Sequence, residues 1–347
     1  MSEANPSEKM NIRQVAAVAG VSHMTVSRVL NNHPNIREST RRKVLDVIEE
    51  LNYRPNLAAR ALVTQRSRRF GILIESSYEF GPSQTIRAVE DAARERGYSI
   101  TSASLGGSQM EPIDAIDHLT AHGVDAICVI APRSSSLTTL RKIHLNVPVL
   151  VIQATPDPAF LTVSGDQQQG TDLVVDHLMQ LGHRDILHLA GPLDWLDARA
   201  RERAFASRVK QWGAKERPIV VGDWSADFSY DFVMSMKRLP DYTAIFAAND
   251  SLALGLLHGF HDRGISVPNE ISVVGFDDMP GAAHFIPPLT TVRQDFRALA
   301  IKSVEVLQAA AEGTAIPQRS KISMDLIVRS STSVPREASA EMSGLSS

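Results

Sequence analysis

A single cysteine, Cys128, stands among 347 residues. One thiol excludes a disulfide framework within the chain and a metal site built from cysteines. It lies in Ala126-Ile127-Cys128-Val129-Ile130, an apolar run that reads as a buried strand, so it is expected to be a small core hydrophobe rather than a reactive thiol. Aromatic residues make up 5% of the chain while apolar residues make up 43%, so the cores must be packed from aliphatic side chains. No apolar run approaches the ~20 residues of a membrane helix. The first ten residues are polar, without the apolar centre of a secretory signal. A cytoplasmic protein with no membrane contact is the expectation. Catalytic signatures are missing too: there is no Gly-x-Ser-x-Gly elbow, no Gly-x-x-x-x-Gly-Lys-Ser/Thr phosphate loop and no Gly-x-Gly-x-x-Gly turn. His183 and His188 flank an apolar run, a spacing unsuited to two ligands on one helix face. No catalytic residue, metal or cofactor is expected.

The length suggests two or three domains. Net charge is −3, but its distribution is uneven. Residues 11–69 hold eleven Lys or Arg against four Asp or Glu, a surplus of seven positive charges. Residues 70–347 hold 24 against 33, a deficit of nine. A basic head on an acidic body suits a nucleic-acid-binding module joined to something else.

Within the head, Ile12, Val15, Ala16 and Ala19 recur with helical spacing. Gly20-Val21-Ser22 follows: glycine admits the left-handed turn, Val21 can plug a core and Ser22 can cap the next helix. That helix places Val26, Val29 and Leu30 inward, and His23, Met24, Thr25, Ser27 and Arg28 outward. Helix, tight turn and helix form the helix-turn-helix arrangement, and these outward groups can reach base edges and phosphates. A third helix is expected from about Thr40 to Leu51, with Val44, Val47, Ile48 and Leu51 as its stripe. Beyond Pro55, a short Ala-rich segment is helix-prone yet too brief to stand alone in water. Gln65-Arg66-Ser67-Arg68-Arg69 then reads as a basic linker.

Taken together, Ala19-Gly20-Val21-Ser22, Thr25-Val26-Ser27-Arg28-Val29-Leu30-Asn31 and Leu51-Asn52-Tyr53-Arg54-Pro55-Asn56 resemble the N-terminal region of the lactose/galactose repressor family. The resemblance implies a recognition helix beginning near His23, with operator preference set by His23 and Met24 and with Ser22, Thr25, Ser27, Arg28, Asn31, Tyr53 and Asn56 at the DNA. It also implies a hinge helix over residues 56–63, with Ala59 against the minor-groove floor and Leu62 levered between base steps. Such a wedge kinks DNA at a cost of a few kcal/mol, offset by the contacts that bending permits.

From Phe70 onward, strands and helices alternate. Strands are expected at 70–74, 98–102, 124–130, 148–152, 185–190, 217–221, 243–248 and 271–275, and helices near 82–97, 135–145, 167–181, 197–212, 227–238 and 250–263. The pattern means an α/β fold with parallel sheets. Val124 to Val129 and Tyr242 to Ala247, each followed by a Val-Pro pair, form a faint internal repeat consistent with two similar lobes. The family resemblance continues to about Thr332 through Leu189-Ala190-Gly191-Pro192, Phe246 to Gly255, Ser272 to Asp278 and Pro287 to Val292. It implies a two-lobed fold like the periplasmic sugar-binding proteins.

Sugars are held by paired acceptors and donors together with an aromatic face. Asn249 and Asp277 follow strands, where the clefts of such folds lie. Arg201, Trp224, Gln294 and Phe296 complete a candidate set, and the matching family positions bind effector. Glu75, in a loop reaching to Ser83, is expected at the cleft; it stands where the galactoside-responsive branch carries a small hydroxyl residue. Gly222-Asp223-Trp224-Ser225 resembles that branch, so a galactoside or a glucoside is the candidate ligand. Alternative readings are that Asp277 caps a loop with Asp278 as a structural neighbour, that Trp224 is core, and that Arg201 is a surface arginine like Arg199 and Arg203.

The expected organisation is a disordered start (1–10), a helix-turn-helix domain (11–55), hinge and linker (56–69), a two-lobed effector-binding and dimerisation domain (70–332) and a disordered tail (333–347). The tail lacks leucine heptads, so a homodimer on a pseudo-palindromic operator is expected rather than a tetramer. The functional reading is a sugar-released transcriptional repressor of carbohydrate-utilisation genes. The alternatives are a sugar-binding protein or a sugar-modifying enzyme without a regulatory role.

Overall fold

The computed structural model describes residues 10–30, 33–53, 66–75, 78–105, 111–130, 133–155, 157–315 and 317–336. The chain divides into two compact units, residues 1–67 and 68–347. In the first, helix α1 (Ile12–Val18) begins at Asn11, whose side chain accepts the N–H groups of Arg13 and Gln14 while Gln14 reaches back to the Asn11 N–H. Such a capping box satisfies donors that a helix start leaves open. Gly20, at φ +60°, makes the turn, and Ser22 Oγ accepts the Thr25 N–H at 3.1 Å to start α2 (His23–Leu30). Helix α3 (Glu38–Glu50) completes the bundle. Val15, Ala16, Ala19, Val26, Val29, Val44, Val47 and Tyr53 form its core.

The second unit holds two lobes, each built on a six-stranded sheet. The first lobe contains β1 (Arg69–Ile74), α4 (Phe80–Glu95), β2 (Ser99–Ser104), α5 (Pro112–Ala121), β3 (Ala126–Ile130), α6 (Ser134–Leu140), β4 (Val149–Ile152) and β5 (Leu161–Gly165). The second contains α7 (Gln167–Gln180), β6 (Ile186–Ala190), α8 (Leu196–Gln211), β7 (Val220–Val221), α9 (Ala226–Ser235), β8 (Ala244–Ala247), α10 (Asp250–Asp262), β9 (Ser272–Asp277) and β10 (Thr290–Gln294). The chain then returns to the first lobe with α11 (Phe296–Glu312) and β11 (Arg319–Ile322), and crosses back with β12 (Met324–Ile327).

The sheet orders are β2-β1-β3-β4-β5-β11 and β7-β6-β8-β9-β10-β12. All pairings are parallel except β10 with β12. The internal repeat read from the sequence falls on β3 and β8, the third strand in each order. Parallel strands covered on both faces need apolar residues in both directions. In the first lobe Phe70, Ile72, Cys128, Ile130 and Leu150 pack with α11 and α4, while Leu73, Ile127, Val129 and Val151 pack with α5 and α6. Cys128 is fully buried, and burial raises its thiol to about 12.

Three segments join the lobes, at residues 165–167, 294–296 and 322–324. Asp166 and Asp295 have nearly the same backbone angles (φ −78°, ψ 82° and φ −86°, ψ 82°), and each caps the helix that follows it. Residues 333–336, expected in the tail, are held on the second lobe instead. Ser333 N–H donates to Ser272 Oγ at 3.1 Å, and Arg336 donates to the carbonyl of Pro240 at 2.7 Å.

Candidate functional site

On the first unit, α2 buries Val26 and Val29 and leaves Ser22, His23, Met24 and Arg28 exposed, with Thr25 and Ser27 partly so. Five of these six are polar, and Met24 is the apolar one. Tyr53 does not join them: it is buried in the bundle core, and burial raises its hydroxyl pKa. Its place is in the core of the bundle, away from the exposed side of α2. Asn31, Asn56, Ala59 and Leu62 lie outside the described residues, as does the hinge at 56–63.

Between the lobes lies a cleft of about 690 Å³, part of it open to solvent. Arg201, Trp224, Asn249, Asp277, Gln294 and Phe296 all line it. The strand ends explain why: Asn249 lies just beyond β8, Asp277 ends β9 and Gln294 ends β10, the position where parallel folds hold ligands.

Arg201 is the organising group. Unlike Arg199 and Arg203 on α8, it is only 4% exposed. Its Nε donates to Gln167 Oε1 at 2.8 Å and another nitrogen donates to the carbonyl of Ala248. Its third nitrogen lies 3.8 Å from Asp277 Oδ1. The guanidinium lies over the Phe276 ring, 3.7 Å from its centre, a desolvated cation on an aromatic face. Asp277 Oδ1 accepts Gln294 Nε2 at 2.7 Å, and Gln167 Nε2 donates to Gln294 Oε1 at 3.3 Å. Burial lifts the Asp277 carboxyl to about 6, while Arg201 and Gln294 pull it down.

Asn249 has two roles. Its Oδ1 caps α10 at Leu252 N–H (2.8 Å), and its Nδ2 donates to the carbonyl of Trp224 (3.2 Å). Trp224 stands at φ +75° and Asp277 at φ +108°, left-handed conformations that non-glycine residues adopt where surrounding structure over-determines them, often at functional sites. The Trp224 ring lies against Gly191, where any side chain would collide with it. It also packs edge-on to Trp195 at 5.9 Å. Trp224 is thus both core and lining.

Asp278 takes the structural part, paired with Arg293 and Arg329 at 2.6 Å each. Glu75 is not among the lining residues. It is buried at the end of β1 beside Ser136 and Arg133, and burial pushes its carboxyl up. The loop that follows it does contribute, through Glu79, Phe80, Gly81 and Pro82; α4 starts at Phe80 rather than at Pro82. Sequence reasoning missed Gln153, Gln167, Trp195 and Asp197, which also line the cleft. Direct contacts join the lobes beside it: Arg133 pairs with Asp194 at 2.8 Å, Ser134 N–H donates to the Asp194 carbonyl at 3.0 Å, and Ala154 N–H donates to Asp197 Oδ1 at 3.0 Å. Among the described residues no cluster of His, Cys, Asp or Glu is placed to hold a metal, and no helix is long and apolar enough to cross a membrane.

A helix-turn-helix head on a two-lobed, cleft-bearing body defines a class: ligand-controlled DNA-binding regulators. A family model described as the periplasmic binding protein-like domain matches residues 175–332, and one described as bacterial regulatory proteins, lacI family, matches residues 11–56. The lactose operon repressor of Escherichia coli (strain K12) is 33% identical over 336 residues, 95% of this chain and 93% of that protein. The HTH-type transcriptional repressor PurR of Vibrio parahaemolyticus (serotype O3:K6, strain RIMD 2210633) is 32% identical over 303 residues, 85% and 90%. The solved Lac repressor dimer bound to operator and the anti-inducer ONPF superposes with a TM-score of 0.82 at 31% identity, covering 94% of this chain and all of that one. A complex of the transcriptional regulator CelR with cellobiose superposes at 0.70 with 27% identity, covering 93% and 99%. The chain belongs to the lacI family of bacterial regulatory proteins; it is an effector-regulated transcriptional repressor and not an enzyme.

Proposed function

We propose that this repressor is a cytoplasmic homodimer that holds a pseudo-palindromic operator and releases it when a sugar fills the cleft, and that it controls carbohydrate-utilisation genes. One observation carries the sugar reading. Arg201, Asp277 and Gln294 form a buried donor–acceptor set in a cleft that is also walled by Trp224 and Phe296. Sugar hydroxyls call for such a set, and the apolar ring face calls for the aromatics. A related Lac repressor structure was solved with ONPG and the CelR structure with cellobiose, which supports a galactoside or a glucoside. Residues 11–55 read DNA through Ser22, His23, Met24, Thr25, Ser27 and Arg28. Residues 56–69 serve as hinge and linker, with Asn56, Ala59 and Leu62 at the minor groove. Residues 70–332 bind the sugar and pair the subunits. Sugar entry draws the lobes together and shifts the lobe that leads back to the hinge, an order–disorder switch coupled to lobe motion.

A gel-shift titration on the regulator's own promoter region, with and without lactose, cellobiose and their monosaccharides, tests the whole reading. Operator release by at least one of these sugars is expected, and retention with every sugar overturns it. Arg28→Ala should weaken operator binding by about 1–3 kcal/mol; unchanged affinity would place the DNA face elsewhere.

A further inference from the structure

The two compact units divide in sequence between Ser67 and Arg68, and the body's first residue is held in an unusual way. Arg68 is exposed, yet it stands at φ +51°. That left-handed conformation is unfavourable for a residue with a Cβ and persists where the surroundings impose it. Here the surroundings are the starts of two other strands of the first lobe. The Arg68 N–H donates to Oδ2 of Asp125, the residue before β3, at 2.8 Å. The Arg68 carbonyl accepts the N–H of Ser99, the first residue of β2, at 3.0 Å. One residue on, the Arg69 carbonyl accepts the Asp125 N–H at 2.7 Å. The bonds from the Ser99 and Asp125 N–H groups are made by backbone and extend the parallel ladder to its end. The bond to the Arg68 N–H is different, because it depends on the Asp125 side chain.

Asp125 also stands at one end of a buried path. It precedes β3, every residue of which is buried, and Ile130 at the other end of that strand lines the cleft. Just beyond, Arg133 and Ser134 hold Asp194 of the second lobe. A close-packed strand has little room to deform and moves with its sheet. A shift of the first lobe therefore reaches Arg68 as long as Asp125 holds the peptide there. The course on which residues 56–67 join the body is then set by the lobe.

We infer that Asp125 is a positioning residue for the regulatory response: by holding the Arg68 N–H it fixes the course of the chain at the first lobe, and so passes the lobe's sugar-driven shift to the hinge. It is not among the residues lining the cleft, so it acts on the response and not on sugar contact. This rests on the reading of the cleft as the sugar sensor and of residues 56–69 as hinge and linker, and supplies the joint between them.

Fluorescence titration of the regulator's own promoter DNA with the full chain, with and without saturating lactose or cellobiose, tests the inference, and calorimetry gives the sugar affinity without DNA. In the wild type one of these sugars should weaken DNA binding by about 5- to 150-fold. In Asp125→Ala that ratio should fall several-fold towards 1, while the sugar affinity without DNA stays at the wild-type value. Asp125→Asn should keep most of the ratio, since the amide oxygen can still accept the Arg68 N–H. Arg68→Pro removes that N–H and cannot adopt the left-handed φ. It should match Asp125→Ala, and the double variant should lose no more than either, because both changes act on one contact. A wild-type ratio in Asp125→Ala overturns the inference. A loss of sugar affinity without DNA in that variant also overturns it, because Asp125 would then be a structural residue of the lobe. A loss in Asp125→Asn as large as in Asp125→Ala overturns the hydrogen bond as the cause. If neither sugar releases the wild type, the sugar reading itself falls, a result seen before any variant is made.

Discussion

At the level of single residues, Asp277 is held in an unfavoured backbone conformation with one oxygen taken by Gln294 and lying close to Arg201. The residue lines the cleft. Asp277→Asn should therefore weaken sugar binding by about 1.5–3 kcal/mol, read by calorimetry, and undiminished affinity would show that the sugar sits elsewhere. His188 lends itself to a pH test. Its ring stacks on Phe246 at 4.6 Å, and burial lowers its pKa from 6.5 to about 4. The unfolded chain takes up this proton near 6.5 and the folded chain only near 4, so stability present above that window is lost as pH falls through it. His188→Phe keeps a stacked ring and removes the titration. Between pH 7 and pH 4 the wild type should lose on the order of 3 kcal/mol relative to the variant, measured by urea denaturation; parallel profiles would contradict the burial argument. Asp277 and Asp250, raised to about 6 and about 8, act in the opposite direction, and the difference between the two proteins cancels them. Which residues were legible follows from the same physics. Asn249, Asp277 and Gln294 could be placed because strand ends in a parallel sheet face the cleft. Gln153 and Asp197 could not, because they meet only when two lobes far apart in sequence come together. Arg201 could be named as a candidate, but only its burial separates it from Arg199, Arg203 and Arg208 on α8.

The alternation of strand and helix was readable at the level of elements over most of the span from β1 to β9, with β5 (Leu161–Gly165) missed. It faded where tertiary partners carry the structure. β11 (Arg319–Ile322) is polar and largely exposed, with no apolar run to mark it. β7 shrinks to two residues and α6 stops at Leu140, short of the expected ends. Helices α5 and α11 do carry apolar stripes, Ala115, Ile116 and Leu119 in one and Leu299, Ala300, Val304 and Leu307 in the other, but they follow segments whose turns gave no clear start. For α11 that start is Asp295, whose side chain accepts the Ala298 N–H at 2.8 Å. This cap sits on a segment joining the lobes and begins a 17-residue helix. Asp295→Ala should lower stability by about 1 kcal/mol, the usual value of such a cap, seen as a reduced melting temperature. Asp295→Asn should recover most of it, since the amide oxygen can still accept. Equal losses in both variants would mean that charge rather than capping matters there.

For the molecule as a whole, the question is how occupancy of the cleft becomes a change at the DNA. Thermodynamic linkage sets the form of the answer: a sugar that weakens operator binding by some factor must itself be bound more weakly on the operator by the same factor. That factor arises from whatever differs between lobe arrangements. Arg133 and Asp194 bridge the lobes without lining the cavity, and both side chains are 46% exposed. An ion pair that open to water contributes only about 0.2–1 kcal/mol. The neighbouring Ser134 N–H to Asp194 carbonyl bond is made by backbone and would survive a side-chain change. Asp194→Asn should accordingly favour the more open arrangement slightly and weaken lactose or cellobiose binding by no more than about fivefold. It should also raise the sugar concentration needed for half-release of the operator by a similar factor. The two shifts must appear together, because the residue touches neither sugar nor DNA in this reading and acts only through the lobe equilibrium. Calorimetry for sugar and a fluorescent operator titration in its presence measure both. A variant that loses sugar affinity but keeps the wild-type release curve would separate lobe closure from operator release, and the switch would have to lie elsewhere in the chain.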